Sequence, residues 1–489
     1  MGTGFYHLFN PRSVAVIGAS SNLGKWGQMI LSNIVAGGFP GKIYPVNQKE
    51  QSIFGIPAYR HIEEVPGHLD LAIITTPAES VPGVLEGCGR KGVKGVVVIT
   101  SGFSETDKAG RDVEARLVSI CRERNLLLVG PNTMGIICPY VDLFATGAHI
   151  RPRKGSVAFI SQSGNLGVQL IHWAEQQGVG VSLFVGSGNE AMLSCVDYME
   201  YLQQDPRTRI IILYLETVRS GRSFMETAAR INRVKPVIVL KGGRTEAGRS
   251  ASASHTGAMG GEVVFFKAAC RQAGLLEVNV PSELLDLSAA LSSLPLPRKG
   301  RVGIVTLGGG WGVVTADGCN ERGLMVPAIP EETVTRIGRY LPPFWSKGNP
   351  VDLVGTHDPD APLVAVEEML KLEGIDAVIS LGIVGRLELI RLLAQSTRKI
   401  DSSRADFIAG LESLGAAYEK KYIEKLAELM ETYEKPVIGV SLSRTDEGIV
   451  RPVDGRKYSP VFYQTPEDAV NVLARMVAYR SYLDSPSSS

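Results

Sequence analysis

One of the seven histidines stands in a segment with little other use. The tract Arg249-Ser-Ala-Ser-Ala-Ser-His-Thr-Gly-Ala-Met-Gly-Gly261 follows an apolar run at 236–240 and is made of residues too small to build a core. Its alanines argue against a solvated linker and for a close-fitting active-site loop. His255 is the one side chain there able to act as a nucleophile through an imidazole nitrogen; the plainer alternative is a solvated loop histidine. Glu216 closes the apolar run Ile210-Ile-Ile-Leu-Tyr-Leu215, at the strand end where ligands collect in open α/β sheets. A carboxylate there would accept a hydrogen bond from one imidazole nitrogen, fixing the tautomer and leaving the other free to attack phosphorus. The plainer alternative is a polar strand end. Ser161-Gln-Ser-Gly-Asn-Leu-Gly167 joins a strand to a helix, and exposed amides at a helix start suit a phosphoryl group.

A second turn, Gly18-Ala-Ser-Ser-Asn-Leu-Gly-Lys-Trp-Gly27, follows the run Ser13-Val-Ala-Val-Ile17. Its amides could hold a pyrophosphate, but the spacing departs from the dinucleotide fingerprint. Ser20 replaces the second glycine, Gly24 falls one residue late, and the next strand ends in Asn47 with no acid for a ribose hydroxyl. NAD is disfavoured on these grounds. Lys25 and Lys49, with Asn47, Thr76 and Pro77, suit a nucleotide carrying an extra phosphate near its ribose, such as coenzyme A. Another phosphorylated ligand, or a purely structural turn, stays open.

These residues need scaffolds. The chain of 489 residues implies about three domains. Short continuous apolar runs alternate with helical stretches, which indicates parallel strands covered on both faces. Expected boundaries are 1–145, 146–297 and 298–489, each domain opening on a strand and a glycine-rich turn. Residues 405–433 read as a solvated helical excursion. Fifty-one basic against fifty acidic residues give a net charge of +1, with no footprint for nucleic acid or an anionic membrane. No apolar stretch approaches the roughly 20 residues of a membrane span, and no secretion signal opens the chain, so a cytoplasmic location is expected. The six cysteines are dispersed and no metal-ligand run occurs, so no metal site is expected in this chain.

Taken together, these motifs resemble the α subunit of the ADP-forming (NDP-forming) acyl-CoA synthetases, or acetate–CoA ligases, relatives of succinyl-CoA synthetase. The resemblance runs from about residue 8 to 479. It rests on Val16-Ile-Gly-Ala-Ser20, Gly24-Lys-Trp-Gly27, Tyr44-Pro-Val-Asn47, Gly130-Pro-Asn132, Ser161-Gln-Ser-Gly164, Ser254-His-Thr-Gly257, Gly308-Gly-Gly310 and Asn349-Pro-Val-Asp-Leu353 in this order. It implies a Rossmann-like CoA-binding domain followed by two flavodoxin-like ligase domains. It makes His255 the phosphorylated histidine and Glu216 the glutamate that steadies it. Ser163, Gly164 and Asn165 become a phosphate-binding helix start, and Gly309 and Gly310 the matching start in the third domain. The implied reaction converts acyl-CoA, phosphate and ADP into acid, CoA and ATP. A separate ATP-grasp β subunit would hold Mg²⁺ and ADP or ATP, in an α2β2 assembly. The chain departs from the family at Thr133, where cysteine is usual, and at Met192, where an acid is common. A non-catalytic CoA-binding scaffold subunit is the alternative.

Overall fold

The computed structural model describes residues 2–250, 263–356, 358–401, 405–441, 443 and 448–486. Internal packing divides the chain into two compact units, Met1–Glu175 with Val179–Leu285, and Gln176–Gly178 with Asp286–Ser489.

The first unit holds two sheets. In the first, strands β1 (Ser13–Ile17), β2 (Lys42–Val46), β5 (Leu71–Ile74), β6 (Gly95–Val98) and β7 (Leu127–Val129) run parallel in the order β2-β1-β5-β6-β7. The short strands β3 (Ser52–Ile53) and β4 (Ile56–Pro57) form a separate small hairpin. Strands β1, β5 and β6 are buried along their whole length, as their unbroken apolar runs require. The order reverses at β1, so a crevice opens beyond the carboxyl ends of β1 and β5.

The second sheet contains β8 (Gly135–Cys138), β9 (Leu143–Thr146), β10 (Lys154–Ser161), β11 (Val181–Gly186), β12 (Ile210–Leu215), β13 (Val237–Lys241) and β14 (Leu276–Val278), ordered β14-β13-β12-β10-β11-β8-β9. The hairpin β8–β9, almost all of it before the expected boundary at 145, pairs antiparallel onto β11 of this second sheet. One core joins the two sheets. Helix α1 (Gly2–Phe9) inserts Phe5 and Phe9 against Tyr198 and Tyr201 of a later helix, Cys195–Gln204.

The second unit is built on a third parallel sheet: β15 (Val302–Thr306), β16 (Val351–Asp352), β17 (Ala377–Leu381), β18 (Val437–Val440) and β19 (Val461–Tyr463), in the order β16-β15-β17-β18-β19. The long helix Ala405–Tyr433 is not the wholly solvated excursion expected from its charges. Its later turns bury Tyr422, Leu426, Leu429 and Met430.

Candidate functional site

The glycine turn after β1 is shaped by two close approaches. Gly18 has φ +89°, and a Cβ there would lie 2.7 Å from Thr75 Oγ1. Gly27, in the first turn of helix α2 (Trp26–Ala36), packs so tightly that a Cβ would stand 2.0 Å from the Gly18 carbonyl oxygen. Gly24 has φ +82° in open space, so its backbone alone calls for glycine. Asn47 organises the loop after β2. It donates to the Ala19 carbonyl at 2.7 Å and accepts from the amides of Lys49 (2.7 Å) and Glu50 (2.9 Å). Glu50, which no sequence motif marks, folds back so that its carboxylate accepts from the Ser21 amide at 3.1 Å and the Ser20 hydroxyl at 3.4 Å. Hydrogen bonds from Ser21 hold its carboxyl below the ordinary range. Ser20 therefore braces the turn through an internal carboxylate.

Around this turn lies a cavity of about 580 Å³. Gly18, Lys25, Asn47, Lys49, Thr76 and Pro77 line it together with Arg60, His61 and Arg90, whereas Ser20, Gly24 and Gly27 are not in its lining. Arg60 and His61 lie together in the loop before Ile62, and Arg90 lies in the last turn of the helix Val81–Lys91, so no local spacing marks the three as a set. Glu63 is the one acid in the lining, paired to Arg90 at 2.7 Å. The cavity is thus strongly cationic.

A second cavity of about 490 Å³ shares Thr76 and Pro77 with the first and carries no charged side chain. It is closed by Trp26, by Thr100 and Ser101 after β6, by Asn132–Met134, and by Gln162–Asn165 at the start of helix α5 (Gly164–Gln177). Ser163, Gly164 and Asn165 therefore face the same space as the carboxyl edge of the first sheet. Thr133 is buried, its hydroxyl bridging the Gly186 carbonyl and the Gly135 amide. Thr76 Oγ1, where the cavities meet, is buried with no hydrogen-bond partner among the described residues.

Behind the neutral cavity the second sheet sets two residues side by side. Strands β10 and β12 pair with Ser161 opposite Tyr214, which brings Gln162 to the end of β12. Gln162 Oε1 accepts from the amides of Glu216 (2.7 Å) and Thr217 (2.9 Å), while its Nε2 donates to the Thr217 carbonyl at 2.9 Å. Glu216 is buried; Tyr214 Oη approaches its Oε1 at 3.4 Å, and Lys241 Nζ donates to its backbone carbonyl at 2.6 Å. Burial lowers the Lys241 pKa, and the nearby Glu216 carboxylate opposes that shift. His255 and the rest of its motif lie outside the described residues.

In the second unit, Gly308 caps the helix Gly309–Glu321, placing Gly309 and Gly310 in its first turn. The Asp352 carboxylate lies against that turn: a Cβ on Gly309 would stand 2.9 Å from Asp352 Oδ2.

Comparison with known proteins gives first the class. Residues 12–139 match the CoA binding domain, 154–291 the succinyl-CoA ligase like flavodoxin domain, and 302–391 the ligase-CoA domain. This is a CoA-binding ligase chain. It is 37% identical over 446 residues to the alpha subunit of acetate–CoA ligase (ADP-forming) II from Pyrococcus furiosus, covering 88% of this chain and 94% of that protein. It is 32% identical to 4-hydroxybutyrate–CoA ligase (ADP-forming) from Nitrosopumilus maritimus, covering 98% of this chain and 64% of the relative. Its fold matches the dinucleotide-forming acetyl-coenzyme A synthetase 1 of Ca. Korarchaeum cryptofilum, solved with phosphate and ADP, at a TM-score of 0.82 and 31% identity over 98% of both chains. The chain belongs to the alpha subunits of the ADP-forming acyl-CoA synthetases.

Proposed function

We propose that this chain is the catalytic α subunit of an ADP-forming acyl-CoA synthetase that works through an acyl phosphate and a phosphohistidine. The observation that carries this reading is the pair of neighbouring cavities, one cationic and one without charge, that share Thr76 and Pro77. CoA fits them in one direction. Its phosphates lie among Lys25, Lys49, Arg60 and Arg90, and its thioester end enters the neutral cavity. There phosphate is held by the amides of Ser163, Gly164 and Asn165, whose dipole favours an anion without a neutralising cation. Phosphate attacks the thioester carbonyl, the C–S bond breaks, and CoA leaves as the thiol. A nitrogen of His255 takes the phosphoryl group and the carboxylic acid departs. Glu216 accepts the hydrogen bond from the other imidazole nitrogen and offsets the charge that develops there. Preorganised donors such as the Ser163–Asn165 amides are commonly the largest catalytic term. Gly309 and Gly310 are assigned the anion-binding role of the second helix start.

A separate ATP-grasp β subunit would take the phosphoryl group to ADP with Mg²⁺, in an α2β2 assembly. Two comparisons support a partner. The Pyrococcus furiosus relative carries the name of an alpha subunit, and this chain spans only 54% of acetate–CoA ligase (ADP-forming) I from Archaeoglobus fulgidus. Relatives named for acetate, 4-hydroxybutyrate and trans-ferulate leave the acid open.

The test is phosphorylation of the full chain by labelled acetyl phosphate, quenched in alkali, with peptide mapping. Label that survives alkali, decays in acid and maps to His255 is expected, and His255→Asn should abolish it while CoA still binds. Label on Ser250, Ser252 or Ser254, or undiminished labelling of His255→Asn, overturns the mechanism.

A further inference from the structure

The amide of Gln162 has an arrangement that only one orientation satisfies. Two backbone N–H groups, from Glu216 and Thr217, converge on its oxygen. Its nitrogen faces two acceptors, the Thr217 carbonyl and the carboxyl of Glu190. Turning the amide over would set donors against donors on one side and acceptors against acceptors on the other. Glu190 is itself fixed. It is buried, adopts φ +51°, and accepts from the Ser187 hydroxyl at 2.8 Å and from the Cys195 amide. Gln162 also precedes Ser163, the first residue of the candidate phosphate cradle, and lines the neutral cavity.

We infer that Gln162 is the positioning residue that locks the Glu216 carboxylate at a fixed offset from the Ser163–Asn165 amides, with Glu190 holding the Gln162 amide in the one orientation that can do so. The inference rests on the proposed role of Glu216. The backbone of Glu216 has no freedom to carry its side chain away while both amides are held by one oxygen. The helix start and the carboxylate are thereby joined through a single side chain across β10 and β12. A group acting on a transferring phosphoryl needs this relation: a displacement of about 1 Å can cost about 10²-fold in rate. Glu190 itself lines neither cavity and reaches the neutral one through the Gln162 nitrogen.

A double-mutant cycle on the full chain tests this, reading the rate of phosphorylation by labelled acetyl phosphate at saturation together with the half-saturating concentration. Gln162→Met keeps the length of the side chain and removes all its hydrogen bonds. It should lower the saturated rate by about 10- to 100-fold and leave half-saturation and CoA affinity within about twofold. In a Glu216→Gln background the same change should cost less than about threefold, because the two residues act as one unit. Glu190→Gln, which sets an amide against the Gln162 nitrogen, should give a smaller loss that is likewise absorbed by Glu216→Gln. It serves in place of Gln162→Met should that variant not fold. Full rate in Gln162→Met beside a slow Glu216→Gln overturns the inference, as does a cycle in which the losses multiply. Full rate in Glu216→Gln overturns instead the reading of Glu216, and the inference falls with it.

Discussion

Glu190 holds a left-handed backbone, φ +51°, that a glutamate rarely adopts, and it carries its carboxyl into the interior of the first unit. Burial pushes that carboxyl up to about 7, against hydrogen bonds from Ser187, Gln162 and Cys195 and the charge of Arg219. Between the ordinary value of 4.5 and about 7 the folded chain keeps a proton that the unfolded chain has released. Raising the pH through this window therefore favours unfolding, and the group's contribution falls by about 3 kcal/mol across it. Chemical unfolding of the wild type and Glu190→Gln at pH 5 and pH 8 checks the sign. The wild type should lose more stability than the variant on going to pH 8. An equal change in both would show that this carboxyl is ionised throughout.

At the scale of elements, helix α5 can start where it does because Gly164 has no side chain. A Cβ there would stand 2.2 Å from Met134 Cγ, and Met134 lines the neutral cavity. Gly164→Ala should drive the thioether into that space or push back the first turn of the helix. Overpacking of this kind costs about 1–3 kcal/mol. Because the displaced turn carries the amides proposed to hold phosphate, phosphorylation should fall by about 10²-fold while CoA affinity changes little. Parallel measurement of labelling and CoA titration checks the split. Much of this scaffold could be read from the chain itself. The unbroken apolar run 210–215 is the strand Ile210–Leu215, and the helical periodicity of 405–433 is the helix Ala405–Tyr433. The short strands β14, β16 and β19 could not be read, because two or three residues show no period. Nor could the allegiance of β8–β9, which follows the first sheet in sequence and pairs with the second in space. Among the candidate-site residues, Glu216 and Ser163–Asn165 are legible in the sequence as breaks at the ends of apolar runs. Arg60, Arg90 and Glu190 are not, since their significance lies in partners brought close only by folding.

The division into two units has a thermodynamic counterpart in the whole molecule. Chains built from several compact bodies commonly unfold in more than one step. Every residue assigned to CoA belongs to the first unit. Calorimetry should therefore show two transitions, of which CoA raises one and leaves the other in place. At a concentration 100 times the dissociation constant the first unit gains about 2.7 kcal/mol. NAD at the same concentration should move neither. A uniform shift of both transitions by CoA, or a shift by NAD, would contradict the assignment.

The two joined cavities also differ in when they come into being. The cationic one draws all its walls from residues 17 to 90, whereas the neutral one is incomplete until Gln162–Asn165 have been added. A ribosome emits the chain in that order. A nascent first domain, with β1, β2, β5 and β6 already made, would hold every side chain that grips the nucleotide end of CoA before any chamber exists for its sulfur.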